Sequence, residues 1–178
     1  MKRFLPLACL TLALAAGAQE TAKTTDGKTS IDTLKFMHGT WKGEGWMIAG
    51  KNDKHSFKVT TKVDSKLRGK VLFLEQEGTE TGDGPNKDKP FMDMIATFAL
   101  NSEQTGFLTH SVSGDGTAID GDGQMEDGKL VFAQVNGPNL FSRYTIEVKD
   151  GVWKQKGELT DDGKRYFTFM EMTLKKSP

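Results

Sequence analysis

The chain has 178 residues with 24 basic and 24 acidic side chains, so its formal net charge is zero. No basic stripe stands out, which argues against nucleic acid as a partner. The one cysteine, Cys9, lies in the N-terminal leader, so the expected mature chain has no disulfide, no Cys-ligated zinc and no thiol nucleophile.

The leader reads as a secretory signal peptide over residues 1–18. Lys2 and Arg3 form a charged start, and Phe4 to Ala16 is an apolar run broken only by Pro6 and Thr11. Ala16-Gly17-Ala18 supplies the small-x-small cleavage pattern, with Gln19 as the expected first mature residue. The run falls short of the ~20 apolar residues that span a bilayer. Pro6-Leu7-Ala8 before Cys9 does not fit lipoprotein processing. The expected location is the periplasm or the extracellular space. No second long apolar stretch follows, so no transmembrane segment is expected after cleavage.

Residues 19–29 are polar without hydrophobic period and read as a flexible tether. Residues 30–178 read as one domain. Ser30 is placed to cap a short helix, Ile31 to His38, with Asp32 in its first turn. Gly39-Thr40-Trp41-Lys42-Gly43-Glu44-Gly45-Trp46 then opens the first strand. Its indole suits the floor of a small barrel, and its glycines allow bending and close backbone approach.

From Thr40 onward the apolar pattern has period two. Strands are predicted at 40–49, 55–64, 69–79, 91–99, 106–112, 117–124, 129–135, 141–149, 151–159 and 165–174. Gly50-Lys51-Asn52-Asp53, Asp127-Gly128, Asp150-Gly151 and Asp162-Gly163 are hairpin turns by composition. Short connections make sequence neighbours antiparallel neighbours. The expected fold is all-β: an up-and-down antiparallel barrel of about ten strands, with the short helix at its closed end. A sandwich is the alternative. Two longer connections, Thr79 to Pro90 and Asn136 to Asn139, are candidate lids or solvated loops.

Alternation places Phe57, Val59, Thr61 and Val63 on one face, and likewise Met92, Met94, Ala96 and Phe98. The last strand reads as apolar on both faces, through Phe167 and Phe169 on one and Tyr166, Met170, Met172 and Leu174 on the other. That pattern predicts a covered outer face, by the helix or by a second subunit in a homodimer.

The segments LKFMHGTWKGEGW at 34–46 and WKQKGELTDDGKRYFTFMEMTL at 153–174 carry a resemblance. They resemble the lipocalin-like barrels of the calycin group, and small secreted bacterial barrels known only as domains of unknown function. The resemblance implies the barrel fold. Nitrobindin-like haem barrels share the Gly-Thr-Trp-x-Gly-x-Gly start and hold their iron through a histidine near the C-terminus. This chain has no histidine after His110, so the resemblance implies the fold and not the haem.

Candidate ligand-binding residues are Trp41, Phe73, Met94, Phe98, Phe132 and Tyr144 for the apolar wall, with Glu75, His110 and Arg143 as polar contributors. An interior Glu75 facing an interior Arg143 would fix a ligand's polar head; an outward pair near the rim would do little. An interior His110 would suit a ligand, metal or haem iron, and an outer one would be solvated. His38 suits the helix C-terminus, and His55 opens a strand beside a turn. The three histidines lack metal-site spacing. The acidic residues of SGDGTAIDGDGQMEDG do not fit an EF-hand and are explained by turn chemistry.

No nucleophile elbow, phosphate-binding glycine loop or local acid–base cluster is present, so the reading leans away from an enzyme and calls for no cofactor. The expected function is binding of a small, mostly apolar molecule in the barrel interior. A filled barrel serving as an envelope or protein-interaction module is the alternative, followed by a haem-binding barrel enzyme. Fold alone does not choose among them.

Overall fold

The computed structural model describes residues 27–50, 53–82 and 87–178. The expected leader and the tether as far as residue 26 lie outside the described residues. The tether's last residue is docked, because the Thr29 N–H donates to the Gln104 carbonyl at 2.6 Å.

The Ser30 hydroxyl accepts the Asp32 N–H at 3.2 Å and starts a 3-10 helix, Ile31–Met37. Ten strands follow: β1 (Gly39–Ala49), β2 (Asp53–Lys66), β3 (Val71–Glu80), β4 (Met94–Leu100), β5 (Phe107–Ser113), β6 (Ala118–Glu126), β7 (Lys129–Gly137), β8 (Leu140–Lys149), β9 (Val152–Thr160) and β10 (Phe167–Lys176). Each pairs antiparallel with its sequence neighbour, and β1 pairs with β10 from Trp41 opposite Lys176 to Met47 opposite Met170. The sheet is therefore a closed barrel with no free edge among these strands. No helix among the described residues is long and apolar enough to cross a membrane.

Period-two alternation sets the interior. Phe57, Val59 and Val63 of β2, Leu72 and Leu74 of β3, and Leu130 and Phe132 of β7 are all buried. At the helix end the interior is filled. Leu34 and Met37 of the helix are wholly buried there. Trp41 lies 5.6 Å from Trp153, ring centre to ring centre, and its indole N–H donates to the Met37 carbonyl at 2.8 Å. That bond satisfies the one polar atom of a fully buried ring and ties the first strand to the helix that seals the floor.

β1 and β10 approach closely because β1 carries glycine at inward positions. A Cβ on Gly43 would overlap the Thr173 carbonyl oxygen and sit 2.8 Å from the Leu174 Cα. A Cβ on Gly45 would lie 2.8 Å from the Phe57 ring.

The expectation of two apolar faces on the last strand is overturned. The pairing of β10 with β9 shifts register between Thr168 and Met170, so Phe169 is an extra residue. The bulge brings Phe169 to the interior side, where its ring packs against Tyr144, while Met170, Met172 and Leu174 are buried. Glu171, Thr173 and Lys175 alternate with them and are exposed. Beyond the bulge the outer face of β10 is thus polar. Exposed apolar side chains remain at Phe167, which opens β10 before the bulge, and on other strands at Leu108, Val135 and Phe141.

Candidate functional site

Above the packed floor the barrel holds a cavity of about 600 Å³ that reaches the end opposite the helix. Its apolar wall comes from Met47, Leu74, Met94, Ala96, Phe98, Phe132, Tyr144, Ile146 and Met170. The aromatic residues form a continuous line. Phe98 meets Phe132 edge-on at 5.6 Å, Phe132 stacks on Tyr144 at 4.9 Å and 18°, and Tyr144 meets Phe169 edge-on at 5.9 Å. Phe132 and Tyr144 are direct cross-strand partners on β7 and β8, which places them face to face. Burial pushes the Tyr144 phenol up from its ordinary pKa, partly offset by the Ser142 hydroxyl.

Polar residues are interleaved with this apolar wall. Gln76, Thr109, Ser111, Gln134 and Gln155 also line the cavity. Gln76 donates to the Thr61 hydroxyl at 2.8 Å and to the Met172 sulfur at 3.7 Å. Gln134 donates to the Ser111 hydroxyl at 2.9 Å. The Thr109 hydroxyl is buried without a hydrogen-bond partner. An open barrel needs such internal bonds to hold polar side chains without filling the void.

Two segments form the mouth. Residues Pro90–Met94 cross it before β4, and Ser113–Asp115 leave β5 beside them. Backbone bonds fix both: Phe91 N–H to the Gly78 carbonyl at 2.9 Å, and Gly114 N–H to the Asp93 carbonyl at 2.8 Å. Of the connection between Thr79 and Pro90, the candidate lid or solvated loop, residues 83–86 lie outside the described residues. The remainder is held against the end of β3 by Glu80 N–H to the Lys89 carbonyl at 3.1 Å and Asp88 N–H to the Glu80 carbonyl at 3.0 Å.

The structure brings Met94, Phe98, Phe132 and Tyr144 together in this cavity. It places the other candidates elsewhere. Trp41 is part of the floor, in contact with Met37 and Trp153. Phe73 and Glu75 alternate with the buried Leu72, Leu74 and Gln76 and so face outward. Lys66 lies over the Phe73 ring at 5.9 Å, and Glu75 shares an outer depression with Lys42 and Lys58. His110 alternates with buried Thr109 and Ser111, faces outward, and pairs with its cross-strand neighbour Asp120.

Arg143 also faces outward. It donates to Glu158 at 2.8 Å and lies 3.7 Å over the Tyr166 ring, far from any pairing with Glu75. Lys156 holds the second carboxylate oxygen of Glu158 at 2.7 Å. Burial raises the Glu158 carboxyl, but hydrogen bonds and charge from Lys156 and Arg143 outweigh it and leave the group below its ordinary value. This is a wall-bracing cluster on the outside of the barrel.

Sequence reasoning missed the polar lining. The signal was present in β7, where Leu130, Phe132 and Gln134 share one period-two face. It was present also in β3, where Gln76 follows Leu72 and Leu74. In a solid core an inward Gln is unusual, and in an open barrel it is a cavity residue.

None of the three histidines lines the cavity. His38 bonds Ser65, His55 bonds Glu80 at the rim, and His110 faces outward. These residues do not fit the axial imidazole of the resembling haem barrels. No group of three His, Cys, Asp or Glu able to hold a metal occurs among the described residues.

A closed, ten-stranded antiparallel meander with an interior cavity and a helix across one end is an up-and-down β-barrel of lipocalin-like fold. No protein-family model matches the sequence, and no curated protein does. Among solved structures, the chain is similar to the crystal structure of Rv2717c from M. tuberculosis, with a TM-score of 0.62 and 10% identity over 83% of this chain and 97% of that one. It is also similar to the S-type phycobiliprotein lyase CPES from Guillardia theta, with a TM-score of 0.55 and 12% identity over 89% of this chain and 99% of that one. At these identities the likeness is one of fold.

Proposed function

We propose that this protein binds a small, mostly apolar and planar molecule inside the barrel. The observation that carries the proposal is the cavity of about 600 Å³ with the line Phe98–Phe132–Tyr144 along one side. Its volume falls in the range of small-molecule sites, roughly 300–1,000 Å³. Aromatic faces favour stacking on a flat ring system, and burial contributes ~25 cal/mol per Å² of apolar surface. The void favours interior binding over a filled barrel whose function lies only outside. The similarity in fold to a phycobiliprotein lyase agrees with a barrel that handles small molecules. We infer also that the leader 1–18 directs the chain to the periplasm or beyond, and that the mature protein begins at Gln19. N-terminal sequencing of protein recovered outside the cytoplasm checks this, and a start at Met1 or at a lipid-bearing Cys9 overturns it.

The test of interior binding is a fluorescence titration with an uncharged anthracene bearing a methanol group. Wild type should bind it saturably. Ala96→Phe puts a ring into the void from a buried wall position and should abolish binding without lowering the melting temperature. Equal binding by wild type and Ala96→Phe, or none by wild type, overturns the proposal.

A further inference from the structure

The cavity has an uneven electrostatic character. The only charged side chains among its described lining residues are Asp93 and Asp115, one on each mouth segment. The Gly114 N–H bond to the Asp93 carbonyl keeps those segments together. The Thr117 N–H donates to Asp115 at 2.9 Å, and that backbone bond holds the carboxyl below its ordinary pKa. No lysine, arginine or histidine lines the cavity, and the rim imidazole of His55 is engaged by Glu80 at 2.8 Å.

Neutral polar groups are held by bonds within the wall. Sulfur of a thioether only accepts, so the Gln76 group beside Met172 must be its amide N–H. The Ser111 hydroxyl donates to the Ile119 carbonyl at 3.2 Å, so it can only accept from Gln134. Both glutamines therefore use donors within the wall, and each retains a carbonyl oxygen as acceptor. Gln155 is turned the other way, its oxygen taking the Trp153 indole N–H at 3.3 Å. With the Gln155 amide and the unpartnered Thr109 hydroxyl as donors, the neutral wall offers both acceptors and donors, and the lining holds no cation.

We infer that the site selects against anions and takes neutral or cationic aromatic ligands. The inference deepens the interior-binding proposal and rests on it. A carboxylate carried into this cavity would find no counter-charge and would pass two carboxylates on the way, whereas an ammonium group at the mouth would be attracted. Fatty acids and other acidic apolar molecules are thereby excluded although the apolar wall would suit them.

The test uses three anthracenes that differ only in a methanol, methylammonium or carboxylate substituent on the central ring, titrated at neutral pH. The ammonium compound should bind tighter than the alcohol, and the carboxylate at least about tenfold weaker than the alcohol. The double variant Asp93→Asn, Asp115→Asn should bring the ammonium compound to within about twofold of the alcohol. Raising the salt concentration on wild type should shrink the same difference, which keeps the test valid if the double variant folds poorly. A carboxylate that binds as well as the alcohol overturns the charge inference alone. So does an ammonium advantage that survives both salt and the double variant. If none of the three binds, the interior-binding proposal falls with it.

Discussion

His55 lies flat against Phe91, their ring centres 5.1 Å apart and their planes 28° from parallel, while its Nδ1 meets the Glu80 carboxylate at 2.8 Å. A β2 side chain thus clamps a β3 carboxylate and an aromatic ring of the mouth segment at once. Phe91 in turn touches Phe57, 5.8 Å away, and lines the cavity.

Removing the clamp should loosen the mouth without unfolding the barrel. In His55→Ala the Phe91 amide, bonded to the Gly78 carbonyl, should exchange its hydrogen faster, and a bound aromatic probe should leave faster. Hydrogen exchange followed by mass spectrometry and a stopped-flow chase measure the two. Unchanged exchange at residues 88–93 would show that the backbone bonds alone hold the segment.

Trp41 should be costly to lose. Trp41→Ala removes a fully buried ring from the floor and should destabilise the protein by about 3–5 kcal/mol. Trp41→Phe keeps much of the ring but strands the Met37 carbonyl, at a cost of about 1–3 kcal/mol. Denaturant unfolding should rank wild type, Trp41→Phe and Trp41→Ala in that order.

Gly43→Ala should prevent clean closure, because the added carbon overlaps backbone of β10 rather than a movable side chain. Gly137→Ala is the control, with nothing within 4 Å of the added carbon. Soluble yield and melting temperature should fall sharply for the first and stay near wild type for the second.

Glu158 predicts a pH dependence. Its folded pKa is lowered, so its ionised form stabilises the fold at neutral pH, and that contribution is lost as pH falls below the ordinary glutamate value through the folded one. Glu158→Gln should therefore be less stable than wild type at neutral pH, and the two should converge in acid. A constant difference across the titration would show that packing, not the charge, holds Arg143 and Lys156 in place.

Much of the barrel was legible because period two repeats through short turns. The predicted 40–49, 129–135 and 141–149 fall within two residues of β1, β7 and β8 at each end. Faces were legible where one side of a strand is uniformly apolar, as in β2. They were not legible at Glu75 or Arg143, whose strands carry half-buried residues on their outer faces, Phe73 and Thr145 among them. The β10 bulge was hidden for a different reason. One extra residue shifts the parity of everything after it, and the run Tyr166 to Met170 offers apolar side chains at both parities. The polar lining escaped because hydrophobic pattern marks what fills space, while a cavity is defined by space left unfilled.

The pairing of β1 with β10 sets when this chain can fold. The first strand to be made waits for the last, across the whole length of the domain, and its final contacts include the Ser177 N–H to the Thr40 carbonyl at 2.7 Å. Such a long-range closure makes the domain slow to complete and indivisible during synthesis. A nascent chain halted before Phe167 would carry two raw edges, on β1 and β9, each ready to recruit another strand.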